Sequence, residues 1–176
     1  MPMACGSRGT IRWIGAIGWG EGCGLNRASK IFLYLATLKL RAMTTTRTIY
    51  LGDLRTENIH LQSGCRLITD APVDNQGRGE AFSPTDLVAT ALGDCILTIM
   101  GITARKKGLA LPGTVGETTK VMTPPPRRIA EIVIDITFPQ NNFPERDKRV
   151  LEAVVKSCPV ALSLHPDIQQ TVNFHW

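Results

Sequence analysis

Residues 83–108 read SPTDLVATALGDCILTIMGITARKKG. Ser83 followed by Pro84 is an N-cap with proline at the first helical position, where the missing amide costs nothing and the fixed φ already suits a helix. Arg105, Lys106, Lys107 and then Gly108 make the matching exit: cations at the negative end of the helix dipole, then a residue free to turn left-handed. The pattern predicts one helix over 84–107. Val88, Ala91, Leu92, Cys95, Ile99 and Ile102 form a stripe, but Leu87, Leu97 and Met100 fall elsewhere around the axis. The helix is therefore apolar on nearly every face, as a membrane span or a buried core helix would be. Asp94 and three threonines lie between Leu87 and Ala104, and in lipid these would be costly. Burial inside the protein, or at a contact between subunits, is the expectation.

Outward from this helix the chain alternates in a regular way. RTIYLGDL and RTENIHLQS read as strands paired around Gly52-Asp53, and CRLITDAP as a third, ended by Pro72. VDNQGRGEAFS is polar and glycine-rich, hence a loop. Beyond the helix, TVGETTKVM and RRIAEIVIDITFP read as two strands joined through TPPPRR. In the second, Ala130, Ile132, Ile134 and Ile136 alternate with Ile129, Glu131, Val133 and Asp135, which places one face on a core. FPERDKRVLEAVVKSC is a second helix, with Val150, Leu151, Val154 and Val155 on its buried side and Pro159 interrupting it after Cys158. IQQTVNFHW ends the chain as a strand. The fold class is α+β.

The formal charge of +5 is unevenly spread. Residues 1–42 hold six basic residues and one acid, whereas 43–176 hold fourteen of each. A neutral body offers no electrostatic footprint for nucleic acid. The N-terminal stretch is rich in glycine and tryptophan without a steady period, apart from KIFLYLATLKLRA at 30–42, which has the spacing of a short basic amphipathic helix. Its interrupted apolar runs do not make a secretory signal. We read 1–42 as a poorly structured extension, with Met43 as the biological start, and 43–176 as the domain. The five cysteines, 5, 23, 65, 95 and 158, form no CxxC and no paired Cys/His spacing, which argues against zinc and against a secreted disulfide scaffold. A reducing cytoplasm is the expected compartment, without membrane attachment. His60, His165 and His175 are scattered, and Cys65 reads as a small residue at a strand start.

From spacing alone Cys95 and Cys158 are either a redox pair or core filling. SPTDLVATALGDC resembles the first-cysteine helix of the OsmC/Ohr family (osmotically inducible and organic hydroperoxide resistance proteins), and SCPVALSL resembles its second-cysteine segment, also followed by proline. The resemblance covers roughly residues 47–176. It implies an intertwined α+β homodimer with the helices as a shared core and each active site at the subunit boundary. It further implies a thiol-dependent peroxidase, active in oxidative-stress defence, that reduces organic hydroperoxides without metal, haem or flavin. Cys95 would be the peroxidatic thiolate and Cys158 its resolving partner, with a small dithiol or lipoyl-type reductant closing the cycle.

Apolar burial raises a thiol pKa, so the reactive cysteine requires a cation. The family draws an arginine from the early strands, and Arg55 is the positional match, with Arg47, Arg66 and Arg78 as alternatives. Many peroxide-active members carry a glutamate ten residues before the cysteine to hold that arginine. Here the position is Thr85, and Asp86 or Glu80 would have to orient it. That departure keeps open a second reading, a non-catalytic OsmC-like binder of small apolar molecules.

Overall fold

The anticipated helix, α1, spans Pro84–Lys107 in the computed structural model, which describes residues 43–139 and 142–176. Residues 1–42, including the amphipathic stretch, Cys5 and Cys23, lie outside the described residues. Ser83 Oγ accepts the Asp86 N–H at 3.1 Å, and the Asp86 carboxylate accepts the Ser83 N–H at 2.7 Å. This reciprocal box satisfies two amides that the helix start leaves unpaired. Gly108, at φ 70°, closes the other end by donating to the carbonyls of Ala104 and Arg105.

Strands β1 (Thr46–Gly52), β2 (Arg55–His60) and β3 (Arg66–Asp70) form one antiparallel sheet in that order. The β1–β2 turn is Asp53-Leu54, both at positive φ, the conformation whose twist matches a two-residue hairpin. A second sheet orders β4 (Val115–Met122), β5 (Ile129–Thr137) and β6 (Gln169–His175). β4 pairs antiparallel with β5, and β6 pairs parallel with it. A parallel partner requires a crossover. It is supplied by α2 (Glu145–Val154), a 3-10 turn (Val155–Ser157) and α3 (Pro159–Ser163).

Ile132, Ile134 and Ile136 of β5 are fully enclosed and meet Leu92, Ile96, Met100 and Ala104 of α1, with Leu151 and Cys158 completing the core. Val150, Val154 and Val155 are only half-buried. Ile129 is buried where strict alternation would have put Ala130, because the pairing skips a residue between Val121 and Met122 and turns Ile129 to the inner face. Gly93 lets α1 lie close on β4, since a Cβ there would come within 2.8 Å of Thr118 Oγ1. At the chain end Trp176 stacks on Phe138 with ring centroids 3.8 Å apart, and its Nε1 donates to Glu152 of α2 at 2.9 Å.

The expectation that α1 is buried on every side does not hold within one chain. Its inner face is 89/92/93/96/100/104, while Val88, Ala91, Asp94, Thr98 and Ile102 form an exposed stripe. By length and hydropathy the helix could cross a membrane, but its inner face is the core of this fold. The first sheet touches the rest mainly through the 71–83 connection and the Thr69–Phe82 bridge.

Ser83→Ala removes the cap and an acceptor for Lys120, and we expect a loss of about 1–2 kcal/mol in urea unfolding. Asp86 adds a pH dependence. Burial opposes its ionisation, but the Lys120 ammonium and the Ser83 hydroxyl and amide outweigh that and hold its pKa below the ordinary value. Its contribution is present above the unfolded carboxylate pKa, ~3.9, and is lost as pH falls through the lower folded value. In Asp86→Asn the acid limb of the stability–pH curve should flatten.

Candidate active site

Cys95 sits halfway along α1, at the border between its exposed stripe and its packed face, and is half-buried. Cys158 is wholly enclosed at the start of α3, where Pro159 occupies the first helical position. Its Sγ accepts the Ala161 N–H at 3.5 Å. The two cysteines belong to the same packed cluster and are near enough for Cys95 to bear on the Cys158 thiol. Burial pushes the Cys158 thiol up, and the Cys95 sulfur beside it pushes in the same direction. The pair thus consists of one half-buried cysteine and one enclosed cysteine whose thiol is kept protonated.

Arg55 opens β2, and its cross-strand partner is Asp70 of β3. Its Nη2 donates to Glu80 Oε2 at 2.5 Å and lies 3.6 Å from Asp70 Oδ2. Asp70 is buried, and its Oδ2 accepts the Glu80 N–H at 3.1 Å. That amide, with the nearby Arg55 guanidinium, outweighs burial and keeps the carboxyl below its usual range. Of the two anticipated orienting acids, Glu80 meets Arg55. Asp86 does not: its carboxylate is engaged by Ser83 and Lys120, because the capping box turns it toward β4. Thr85 is bound into the same cluster, its hydroxyl accepting from Lys120 Nζ at 2.9 Å. No hydrogen bond joins Arg55 to Cys95 within the described residues.

Of the alternative arginines, Arg66 pairs with Glu57 and Arg78 with Asp53, each at 2.8 Å, and Arg47 is exposed on β1. His60 is bonded to Ser63, His165 to Asp167 and His175 to Asp135, three separate places. Cys65 is exposed and remote in sequence from the thiol pair. Sequence reasoning missed Asp70 and Lys120. The first is found only through the β2–β3 register, and the second has no local signal.

The family model for OsmC-like proteins matches residues 77–173, a span that holds both cysteines. Among solved structures, a Psychrobacter arcticus 273-4 protein, proposed to be an osmotic stress induced and detoxification response protein, is 53% identical. The match covers 78% of this chain and 100% of that one, with a TM-score of 0.74. An organic hydroperoxide resistance protein OsmC from Legionella pneumophila shares the fold at 16% identity, TM-score 0.58, with 77% and 99% coverage. An OsmC-like protein from Mycoplasma pneumoniae does so at 19%, TM-score 0.58, with 73% and 93% coverage. No curated protein matches the chain.

Proposed function

The chain belongs to the OsmC-like protein family, and on that premise we propose that it reduces organic hydroperoxides with two thiols, Cys95 and Cys158. The observation that carries the reading is the placing of a half-buried cysteine on α1 against the packed cluster that encloses the second cysteine at the start of α3. The Cys95 thiolate attacks the outer oxygen of ROOH. The O–O bond breaks, the alkoxide takes a proton and leaves as alcohol, and Cys95 becomes a sulfenic acid. Cys158 then attacks the Cys95 sulfur, forming the disulfide and releasing water. A dithiol or lipoyl-type reductant restores both thiols and is itself oxidised to a disulfide. Formation of the disulfide requires the two Cα atoms to come within roughly 7 Å of each other.

Arg55 is the cation we assign to the Cys95 thiolate, acting across a homodimer boundary. Three features support a dimer. The Arg55 face of the first sheet also carries Ile49 and Ile68, about two-fifths exposed. The outer stripe of α1, with Cys95 at its edge, has no cover among the described residues. The first sheet is scarcely packed on its own chain. A cytoplasmic setting fits, since such thiols are maintained in a reducing compartment.

The test is stopped-flow oxidation of the reduced protein by cumene hydroperoxide and by hydrogen peroxide. Fast, stoichiometric loss of two thiols with the organic peroxide is the expected result. The second reading, a non-catalytic binder, is favoured by Thr85, whose hydroxyl serves Lys120 where an acid would hold the arginine. It predicts that no Cys95–Cys158 disulfide forms on peroxide addition. We also read residues 1–42 as dispensable, a reading supported by a relative whose entire chain aligns with 78% of this one. Deleting them should leave the melting temperature and thiol reactivity unchanged, as checked by calorimetry and thiol titration.

A further inference from the structure

With Thr85 unable to hold an arginine, the chain must supply another acid, and two lie against Arg55. Glu80 makes the short contact, but its side chain is 57% exposed and it stands on a loop. Water screens such a pair, and the contact is free to open. Asp70 differs in each respect. Its side chain is fully enclosed, it sits on β3 in register with Arg55, and so it projects from the same face of the sheet. Its Oδ2 accepts the Glu80 amide and its own N–H donates to the Phe82 carbonyl at 3.1 Å, so it also places the loop that carries Glu80.

Two buried atoms here lack hydrogen-bond partners: Arg55 Nε and Asp70 Oδ1. They belong to one pair of side chains whose other contact, Nη2 to Oδ2, is stretched to 3.6 Å. Guanidinium and carboxylate groups pair through two parallel bonds when they can, and buried polar atoms seldom stay unpaired. The arrangement is a two-bond pairing left incomplete while Glu80 holds the guanidinium. Nε and Oδ1 are the donor and the acceptor that the second bond of such a pairing would join once Glu80 is released. Of the remaining charged groups of this face, Glu57 and Arg66 are engaged with one another at 2.8 Å, and Arg47 stands exposed on β1, level with Ile59 at the far end of β2.

We infer that Asp70 is the positioning residue for Arg55: a buried carboxylate on β3 that keeps the guanidinium in place whether or not Glu80 is engaged. The inference rests on the reading of Arg55 as the cation of Cys95.

The experiment measures the pH dependence of Cys95 alkylation by iodoacetamide in the full-length chain, in a Cys158→Ser background so that one redox sulfur reports. Arg55→Ala should move the midpoint up, with neutral-pH alkylation slowing roughly tenfold for each pH unit the midpoint climbs. Asp70→Asn keeps the shape and an acceptor for the Glu80 amide. If Asp70 acts only as a negative charge near the thiolate, its removal lowers the midpoint. If it positions Arg55, the midpoint rises, by at least half as far as in Arg55→Ala, and Asp70→Glu restores part of it. In an Arg55→Ala background Asp70→Asn should then change nothing. Glu80→Gln, at an exposed site, should give a smaller rise and guards against a folding defect in the Asp70 variant.

A lowered or unmoved midpoint in Asp70→Asn, with Arg55→Ala shifted, overturns the inference and leaves the proposed function standing. An unmoved Arg55→Ala overturns the cation role and this inference together. Peroxide consumption by the unmodified protein, followed in parallel, separates either outcome from failure of the peroxidase reading itself.

Discussion

Cys95→Ser should abolish peroxide consumption, with the cumene hydroperoxide rate falling by roughly a thousandfold or more, to background. A hydroxyl is a far weaker nucleophile than a thiolate near neutral pH, and Cys158 cannot take over. It is enclosed, and burial keeps its thiol protonated. Cys158→Ser should fail differently. One equivalent of peroxide is reduced, then turnover stops at a Cys95 sulfenic acid that dimedone traps, because the resolving sulfur is gone. Mass spectrometry and a peroxide assay distinguish the two. Reversal of the outcomes would exchange the roles, and two variants indistinguishable from the parent would leave the binder reading.

The second large effect concerns assembly. Residues 43–176 should sediment as a homodimer that buries more than the ~1,600 Å² of a standard interface. Ile102, half-exposed on the outer stripe of α1, is the place to break it. Ile102→Asp is tolerable in an isolated chain, whose core lies on the other face of the helix. In a twofold dimer it buries two carboxylates, about 4 kcal/mol in all, or roughly a thousandfold in dissociation constant. Sedimentation equilibrium at micromolar concentration should show monomers that retain the far-ultraviolet spectrum. If the unmodified domain is itself monomeric, the dimer and the placement of Arg55 across its boundary both fall.

Much of the fold is legible in the sequence wherever the signal is local. Ser83-Pro84 and Gly108 mark α1 because capping depends on neighbours in sequence. The isoleucines of β5 mark its inner face for the same reason. The skip at Ala130 has no such signature, since it arises between two strands. The candidate site divides likewise. Arg55 and Glu80 stand out by position, yet Asp70 joins them through a cross-strand register that no local pattern encodes. Lys120 reads as a solvated strand residue in TTKVM and is instead held by Ser83, Thr85 and Asp86. The closeness of Cys95 and Cys158 is legible only by resemblance. Spacing cannot show that the midpoint of one helix and the start of another, far along the chain, will meet.

Trp176 gives the domain an optical probe. Trp13 and Trp19 lie in the N-terminal stretch, so a chain cut at residue 43 emits from one indole. That indole is stacked on Phe138 and tethered to Glu152 on α2, the helix that leads into Cys158. Its emission maximum and lifetime therefore register, without any label, whatever displacement of α2 accompanies oxidation of Cys158.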